Sequence, residues 1–365
     1  MSQNILFIID GLPGGGAERV VLTLAEGMLA QGHKVTLISL RDVCHYSLPI
    51  GLNYQVVADQ ARGPLHKLGE LRRRAKRLDH AITQLQADLG YFDRVFSNLP
   101  KTDRIVSLCH SLQPQQLWFC IHSMLSLSYL AHKQGFARWW KRWRMARTYQ
   151  HKQVIAVSQA VLDDLCQEFA VVPAAQKVNY NPFDFDSILQ HAAAPCPLDG
   201  EDFLLHVGRL HPQKRHDRLL DAYAQSGLSQ PLVLLGNGSD EAVQAINQQA
   251  EQLGIREKVR YLGFQDNPYR YLRAARALVL SSDCEGFGNV LVEALACQTQ
   301  VISSPCPGGP KEILVGDLQR GLASDMSAAA LANAMQEIVA HPVDLSTVDL
   351  SRFNRTQACE QYLAC

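Results

Sequence analysis

Apolar and polar positions fall into two similar passes along the chain. Asn4-Ile-Leu-Phe-Ile-Ile-Asp10 is a short continuous apolar run, as a strand covered on both faces should be. The loop Gly11–Gly16 follows, then a helix predicted over Ala17–Gln31 that stops at Gly32, then a strand over Lys34–Leu40. Strand, loop, helix, strand is the opening of a parallel α/β sheet. Leu68, Leu71, Ala75, Leu78, Ile82 and Leu85 recur at three- and four-residue spacing and predict a long amphipathic helix over Leu65–Leu89. Gln116–Ile121 and Gln153–Val157 read as further strands. Asn181-Pro182 and the Pro/Ala-rich stretch to Pro197 then break regular structure.

Beyond that break the pattern restarts. Asp202–Gly208 is a strand ending in glycine, Arg215–Ala224 a helix, and Pro231–Gly236 a strand with the turn Asn237-Gly238 behind it. Val259–Gly263, Ala277–Ser281 and Gln300–Ser303 read as short strands between helices. Ala328–Ala340 and Leu350–Leu363 read as helices. The expected organisation is two α/β domains, 1–184 and 185–346, with a C-terminal helix at about 347–365 packing back on the first. A length of 365 residues agrees with two domains rather than one. A cleft between two such halves is the default ligand site.

Composition narrows the class. With 47% apolar and 19% charged residues the chain reads as globular, and a net charge of zero argues against a polyanion partner. Ten cysteines occur without a C-x-x-C pair, which suits small buried hydrophobes in a reducing compartment. The N-terminus enters a strand without a basic leader, and no apolar stretch reaches the roughly 18 residues that span a bilayer. A cytoplasmic location is expected, with peripheral attachment to the inner face of the membrane.

The stretch Ser281–Glu293 carries the most chemistry. Glu285 lies in a Gly-rich turn, Glu285-Gly-Phe-Gly288, and Glu293 lies eight positions on, inside a helix expected to start near Asn289. The first amides of a helix have no partner within it and make an anion site, here from Phe287, Gly288, Asn289 and Val290. Carboxylates accept hydrogen bonds from the hydroxyls of sugars and riboses. Phosphate donors beside two carboxylates are what a nucleotide-sugar requires.

Three stretches together resemble glycosyltransferase family 4, the retaining enzymes of the GT-B fold, with two Rossmann-like doubly wound domains whose parallel sheets face across a cleft. Glu285-Gly-Phe-Gly-x4-Glu293 is similar to the family's E-x7-E signature. Gly208-Arg209-Leu210-x3-Lys214 is similar to its diphosphate loop, and Gly14-Gly15-Gly16-Ala-Glu-Arg19 to its N-terminal glycine loop. Val154–Ser158 and Asn181-Pro182 also match. The resemblance implies that Arg209 and Lys214 receive the departing phosphate, that Glu285 contacts the transferred sugar and that Glu293 holds the ribose. It implies a base pocket framed by Gly236-Asn-Gly238 and Gly263-Phe264, and close approach of a phosphate or sugar at Gly15 and Gly16. A histidine facing the donor sugar is implied as well: His122, with His110 as rival. Charge stabilisation by preorganised donors is worth roughly 2.7–4 kcal/mol each. These cations can do a metal's electrostatic work, so no metal and no cofactor is expected, the nucleotide-sugar being substrate. A dehydrogenase fingerprint does not fit, because Arg19 occupies the third glycine position of G-x-G-x-x-G.

Two basic runs stand out in the first domain, Arg72-Arg-Arg-Ala-Lys-Arg77 and Arg138-Trp139-Trp140-Lys-Arg-Trp143-Arg-Met-Ala-Arg147. Tryptophans favour the membrane interface and clustered Lys/Arg are drawn to anionic headgroups. The expected partner is an anionic membrane surface, not nucleic acid, for which no motif accompanies the charge. The expected activity is transfer of a hexose from a nucleotide-sugar, a UDP-hexose or UDP-N-acetylhexosamine, to a lipid-linked or lipopolysaccharide glycan. A capsule or exopolysaccharide transferase, a non-catalytic nucleotide- or glycan-binding protein and an epimerase are the alternatives.

Overall fold

The computed structural model of the chain describes residues 2–59, 69–131 and 133–365. They form two compact units, one of the described residues up to Phe183 together with 352–365, and one of residues 184–351.

The first unit holds a seven-stranded sheet. Its strands are β1 (Asn4–Ile9), β2 (Lys34–Ser39), β3 (Asn53–Val56), β4 (Arg94–Asn98), β5 (Leu117–Ile121), β6 (Gln153–Ala156) and β7 (Ala175–Val178). The order is β3-β2-β1-β4-β5-β6-β7, and each neighbouring pair is parallel. All six residues of β1 are buried, which the continuous apolar run requires of a central strand with helices on both faces. The second unit holds β8 (Leu204–Val207), β9 (Leu232–Leu235), β10 (Val259–Tyr261), β11 (Ala277–Leu280) and β12 (Gln300–Ser303). These five parallel strands run in the order β10-β9-β8-β11-β12.

In both sheets the order reverses beside the first strand, between β1 and β4 and between β8 and β11. Such a switch point opens a crevice at the carboxyl ends of the strands. The strands β3, β4 and β7 are additions to the sequence reading. So is the Asp240–Gln252 helix, which Ser239 caps by accepting from the Ala242 amide.

The long amphipathic helix runs over Glu70–Leu89. The predicted start at Leu65 and the position Leu68 lie outside the described residues. Where a helix was expected over Leu350–Leu363, the structure has a 3₁₀ turn at Ser351–Phe353 and a helix at Arg355–Leu363. That helix belongs to the first unit: Tyr362 packs edge-on against Phe96 of β4, ring centroids 5.1 Å apart. Phe183 and the chain near Phe353 bond reciprocally, Phe183 N–H to Phe353 O and Arg355 N–H to Phe183 O, both at 2.9 Å. Residues 347–351, expected with the C-terminal helix, fall in the second unit instead.

Candidate functional site

In the second unit the loops that leave the strand carboxyl ends are tied together. Leu210 N–H donates to Asn237 O at 2.7 Å and Gly236 N–H to Gly263 O at 2.8 Å, linking the loops after β8, β9 and β10. Glu285 N–H donates to Pro307 O at 3.1 Å, joining the loop after β11 to the loop after β12. Two glycines make this closeness possible. A Cβ on Gly236, at φ +145°, would stand 2.0 Å from the Gly208 carbonyl oxygen. One on Gly308, at φ +116°, would stand 1.5 Å from the carbonyl oxygen of Glu285.

On this platform Lys214 and Glu285 meet. Lys214 Nζ donates to Glu285 Oε1 at 2.6 Å, and Ser282 Oγ donates to the same oxygen at 2.6 Å. The two charged side chains are 21% and 12% exposed. Ser281 Oγ holds the Lys214 carbonyl at 2.7 Å, and buried Arg218 grips the Ser281 carbonyl at 3.0 Å and Asp283 Oδ1 at 2.5 Å. Ser281, Ser282 and Arg218 thus frame the Lys214–Glu285 pair, and none of the three was named as a site residue from the sequence. Arg209 is exposed at the bend after Gly208. An ammonium has three donors, so Lys214 keeps two beyond the one spent on Glu285.

Gly288, at φ +98°, is the left-handed residue from which the Asn289–Ala296 helix starts, so the first-turn amides of Asn289 and Val290 belong to a true helix N-terminus. The Phe287 side chain is turned into the core, leaving only its backbone for a ligand, whereas Phe264 is 60% exposed beside the β9 and β10 loops. Glu293, on the fifth residue of the helix, accepts from the Tyr269 hydroxyl at 3.3 Å. Tyr269 escaped sequence reading because nothing in Asn267-Pro268-Tyr269 announces a carboxylate partner 24 residues away.

Behind the Gly208–Lys214 loop two buried imidazoles, His206 and His216, pack edge to face at 4.7 Å. Burial pushes His206 down to about 3, with His216 and Lys214 adding to the effect, and pushes His216 down to about 4, with Lys214 again adding. Both stay neutral near pH 7 and add no charge behind the loop.

In the first unit Gly15 precedes the Gly16–Ala30 helix as its N-cap. The glycine loop is tied to the segment after β2, with Leu12 N–H on Val43 O at 2.9 Å and the Tyr46 hydroxyl on Gly15 O at 2.9 Å. His122 directly follows β5, its Nε2 lying 2.9 Å from Asn98 Oδ1 at the end of β4. His110 sits in the segment leading into β5, exposed, with its amide on Asp79 at 2.9 Å. The two histidines are thus at different ends of β5, and His122 is the one at a carboxyl end.

The Arg72–Arg77 run is only in part the exposed basic face expected from sequence: Arg72, Lys76 and Arg77 are exposed, Arg73 is half-buried and Arg74 is buried. Arg74 lies on the buried stripe of the Glu70–Leu89 helix with Ala75, Leu78 and Ile82. It bonds Glu70 at 3.1 Å, Asp10 at 3.3 Å and the Leu40 carbonyl at 3.0 Å. Asp59 pairs with Arg73 at 2.6 Å and stands 3.8 Å from Arg77. The Arg138–Arg147 run differs. On the Gly135–Tyr149 helix Phe136, Trp139, Trp140 and Trp143 form one exposed stripe, with Trp139 55% and Trp140 46% exposed. Their rings stack on one another at 5.0 to 6.4 Å. Among the described residues no helix is long and apolar enough to cross a membrane.

Residues 14–187 match the family profile Glycosyltransferase Family 4, and residues 194–353 match Glycosyl transferases group 1. The chain is 31% identical over 324 residues to a Campylobacter jejuni N-acetylgalactosamine-N,N'-diacetylbacillosaminyl-diphospho-undecaprenol 4-alpha-N-acetylgalactosaminyltransferase, spanning 88% of this chain and 85% of that one. It is 28% identical over 200 residues to the lipopolysaccharide 1,6-galactosyltransferase of Escherichia coli, 52% of this chain and 53% of that one. Among solved structures it resembles Anabaena HepE in complex with UDP and glucose, with TM-score 0.72 and 21% identity over 99% of this chain and 95% of that one. It also resembles the lipopolysaccharide outer core galactosyltransferase WaaB, with TM-score 0.69 and 19% identity over 98% of each chain. These last two likenesses are of fold, which is GT-B.

Proposed function

The chain belongs to glycosyltransferase family 4, and we propose that it moves a hexose or N-acetylhexosamine from a UDP-sugar to a lipid-linked or lipopolysaccharide glycan, with retention of configuration. The observation that carries the proposal is the Lys214–Glu285 contact, with Glu285 in the turn that leads into the glycine-capped Asn289–Ala296 helix. The donor's phosphates lie against Arg209, Lys214 and the first amides of that helix. Glu285 steadies Lys214 through Oε1, and Oε2 remains for hydroxyls of the transferred sugar. Glu293, supported by Tyr269, takes the ribose hydroxyls, and Phe264 with Gly236 borders the base. The acceptor hydroxyl attacks the anomeric carbon on the face the phosphate leaves, and the departing phosphate takes its proton. Arg209 and Lys214 stabilise the charge that grows on that phosphate, and no metal is assigned to the step. The name of the Campylobacter relative, with its diphospho-undecaprenol, supports a lipid-linked acceptor.

The same acceptor class gives a role to the aromatic stripe. From Arg104 to Leu162 the sequence carries eight Lys and Arg and no Asp or Glu. The Gly135–Tyr149 helix lies in the interface of an anionic bilayer, aromatics inserted and bases at the headgroups, each base worth about 1 kcal/mol. Co-sedimentation with anionic vesicles, lost when Trp139, Trp140 and Trp143 are changed to Ser, checks this. Equal recovery in the supernatant with neutral and anionic vesicles at low salt refutes it.

The test of the transferase reading is UDP release from a panel of UDP-hexoses and UDP-N-acetylhexosamines with lipid-linked and truncated lipopolysaccharide acceptors. Acceptor-dependent release from one donor, lost in Lys214→Ala and in Glu293→Ala, is the expected result. UDP binding without turnover on any donor would favour a non-catalytic binding protein.

A further inference from the structure

We propose that Asn98 is a positioning residue that fixes His122 as a hydrogen-bond acceptor for a hydroxyl of the bound sugar. The inference rests on the transferase reading only for the class of ligand.

Asn98 is buried at the end of β4. Its Nδ2 donates to the Phe96 carbonyl at 3.0 Å and to the Ile8 carbonyl at 3.4 Å. Carbonyl oxygens only accept, so the amide cannot be turned round, and Oδ1 must be the atom that faces His122 Nε2 at 2.9 Å. An amide oxygen also only accepts, so Nε2 carries the ring proton. A neutral imidazole has one N–H, which leaves Nδ1 as a bare lone pair.

That lone pair is shut away from solvent and has no partner. A buried acceptor without a donor is costly, and native structures seldom leave one. Burial alone, with no charged neighbour contributing, pushes the His122 imidazole down to about 4, so the ring is neutral near pH 7. It therefore offers an acceptor and no second proton. Its place directly after β5 is the edge at which parallel sheets receive ligands, and sugars are rich in the hydroxyl donors it lacks. His122 on this assignment orients a hydroxyl and does not protonate a leaving group.

The test is two-bond ¹H–¹⁵N correlation of the whole chain labelled at histidine, with the His122 signals identified by their loss in His122→Gln. The expected spectrum at pH 7 shows a neutral ring with the proton on Nε2, and an Nδ1 signal that moves on addition of the UDP-sugar that turns over. In Asn98→Leu the ring loses its fixed tautomer and kcat/KM falls about tenfold, the size of one lost hydrogen bond. The thermal midpoint falls too, because the Phe96 and Ile8 carbonyls lose this donor and Nε2–H its acceptor, so the tautomer and not the midpoint is the readout. A proton on Nδ1 in the wild type overturns the assignment. So does an Asn98→Leu variant with unchanged tautomer and unchanged turnover. The wild-type spectrum keeps the test decisive if the variant does not fold. Failure of wild type to turn over any donor, with the tautomer as stated, falls on the transferase reading and not on the Asn98–His122 pair.

Discussion

Replacing Gly308 by Ala should disable the site without touching a single side chain in it. The residue sits at φ +116°, and its added Cβ would stand 1.5 Å from the Glu285 carbonyl oxygen, where real contacts of this kind do not fall below 3.0 Å. The loop after β12 and the turn carrying Glu285 must therefore separate by about 1.5 Å. Glu285 would take Lys214 with it or lose the contact altogether. A misplacement of about 1 Å in a reacting constellation costs about 100-fold in rate, so a drop of at least that size in kcat/KM is expected. Gly316 supplies the control: it is also left-handed, at φ +60°, but a Cβ there meets nothing within 4 Å. Gly316→Ala should cost only roughly 1–2 kcal/mol of backbone strain and leave turnover near wild type. Steady-state UDP release and thermal unfolding of both variants measure the two effects. If Gly308→Ala keeps its rate within threefold, or if the two variants lose rate equally, the reasoning from close approach is wrong.

Two further outcomes follow from groups outside the donor site. Asp103 is fully buried, accepting from Ser97 Oγ at 2.6 Å and from the Tyr149 hydroxyl at 2.7 Å, and burial pushes its carboxyl up to about 8 against the two hydroxyls. The folded state thus holds a proton that the unfolded state has released above about pH 4, so stability must fall as pH rises toward 8. Between pH 6.5 and 8 the imidazoles of His122, His206 and His216 finish discharging in the unfolded chain and raise the stability of both proteins alike, so the wild type should lose about 2 kcal/mol relative to Asp103→Asn across that window. Parallel urea-unfolding slopes for the two proteins across that window would contradict this. Arg74→Ala should destabilise by about 2–3 kcal/mol, less than a fully orphaned buried pair, because Asp10 keeps Arg41 at 2.7 Å and Glu70 keeps Lys101 at 3.0 Å. Lys76→Ala, on the exposed side of the same helix, should stay within about 0.5 kcal/mol of wild type, and equal denaturation midpoints for the two variants would refute the difference.

Strands that are buried on both faces announced themselves. The runs behind β1, β9 and β11 (Ile5–Ile9, Leu232–Leu235 and Ala277–Leu280) are apolar without interruption, and those behind β2 and β8 are broken inside only by Thr36 and His206, both buried, which is the pattern of a parallel strand covered on both faces. Asn53–Val56 and Ala175–Val178 did not, because they are the outermost strands of their sheet, half exposed, and Asn-Tyr-Gln-Val or Ala-Gln-Lys-Val has no reason to be apolar. At the site, residue types and spacing placed Lys214, Glu285 and Glu293 on the right loops and helix. What spacing cannot convey is a contact between residues 71 or 24 positions apart, so the Lys214–Glu285 bond and the Asn98–His122 bond needed the fold. Arg74 was legible and passed over. It stands four before Leu78 and eight before Ile82, on the same stripe, and only its charge suggested the outer face.

The crossing at Phe183 and Phe353 bears on how the protein is made. The chain leaves the first unit at residue 183, builds the whole of the second, and returns at residue 352 to deliver Tyr362 against Phe96. During synthesis the first unit emerges first yet lacks a piece of its own interior until the last turn of helix leaves the ribosome. The second unit, continuous in sequence, can close while that gap is still open. A nascent chain stalled shortly before residue 355 therefore exposes the Phe96 face that Tyr362 would cover, and a chaperone that reads apolar surface has its window there.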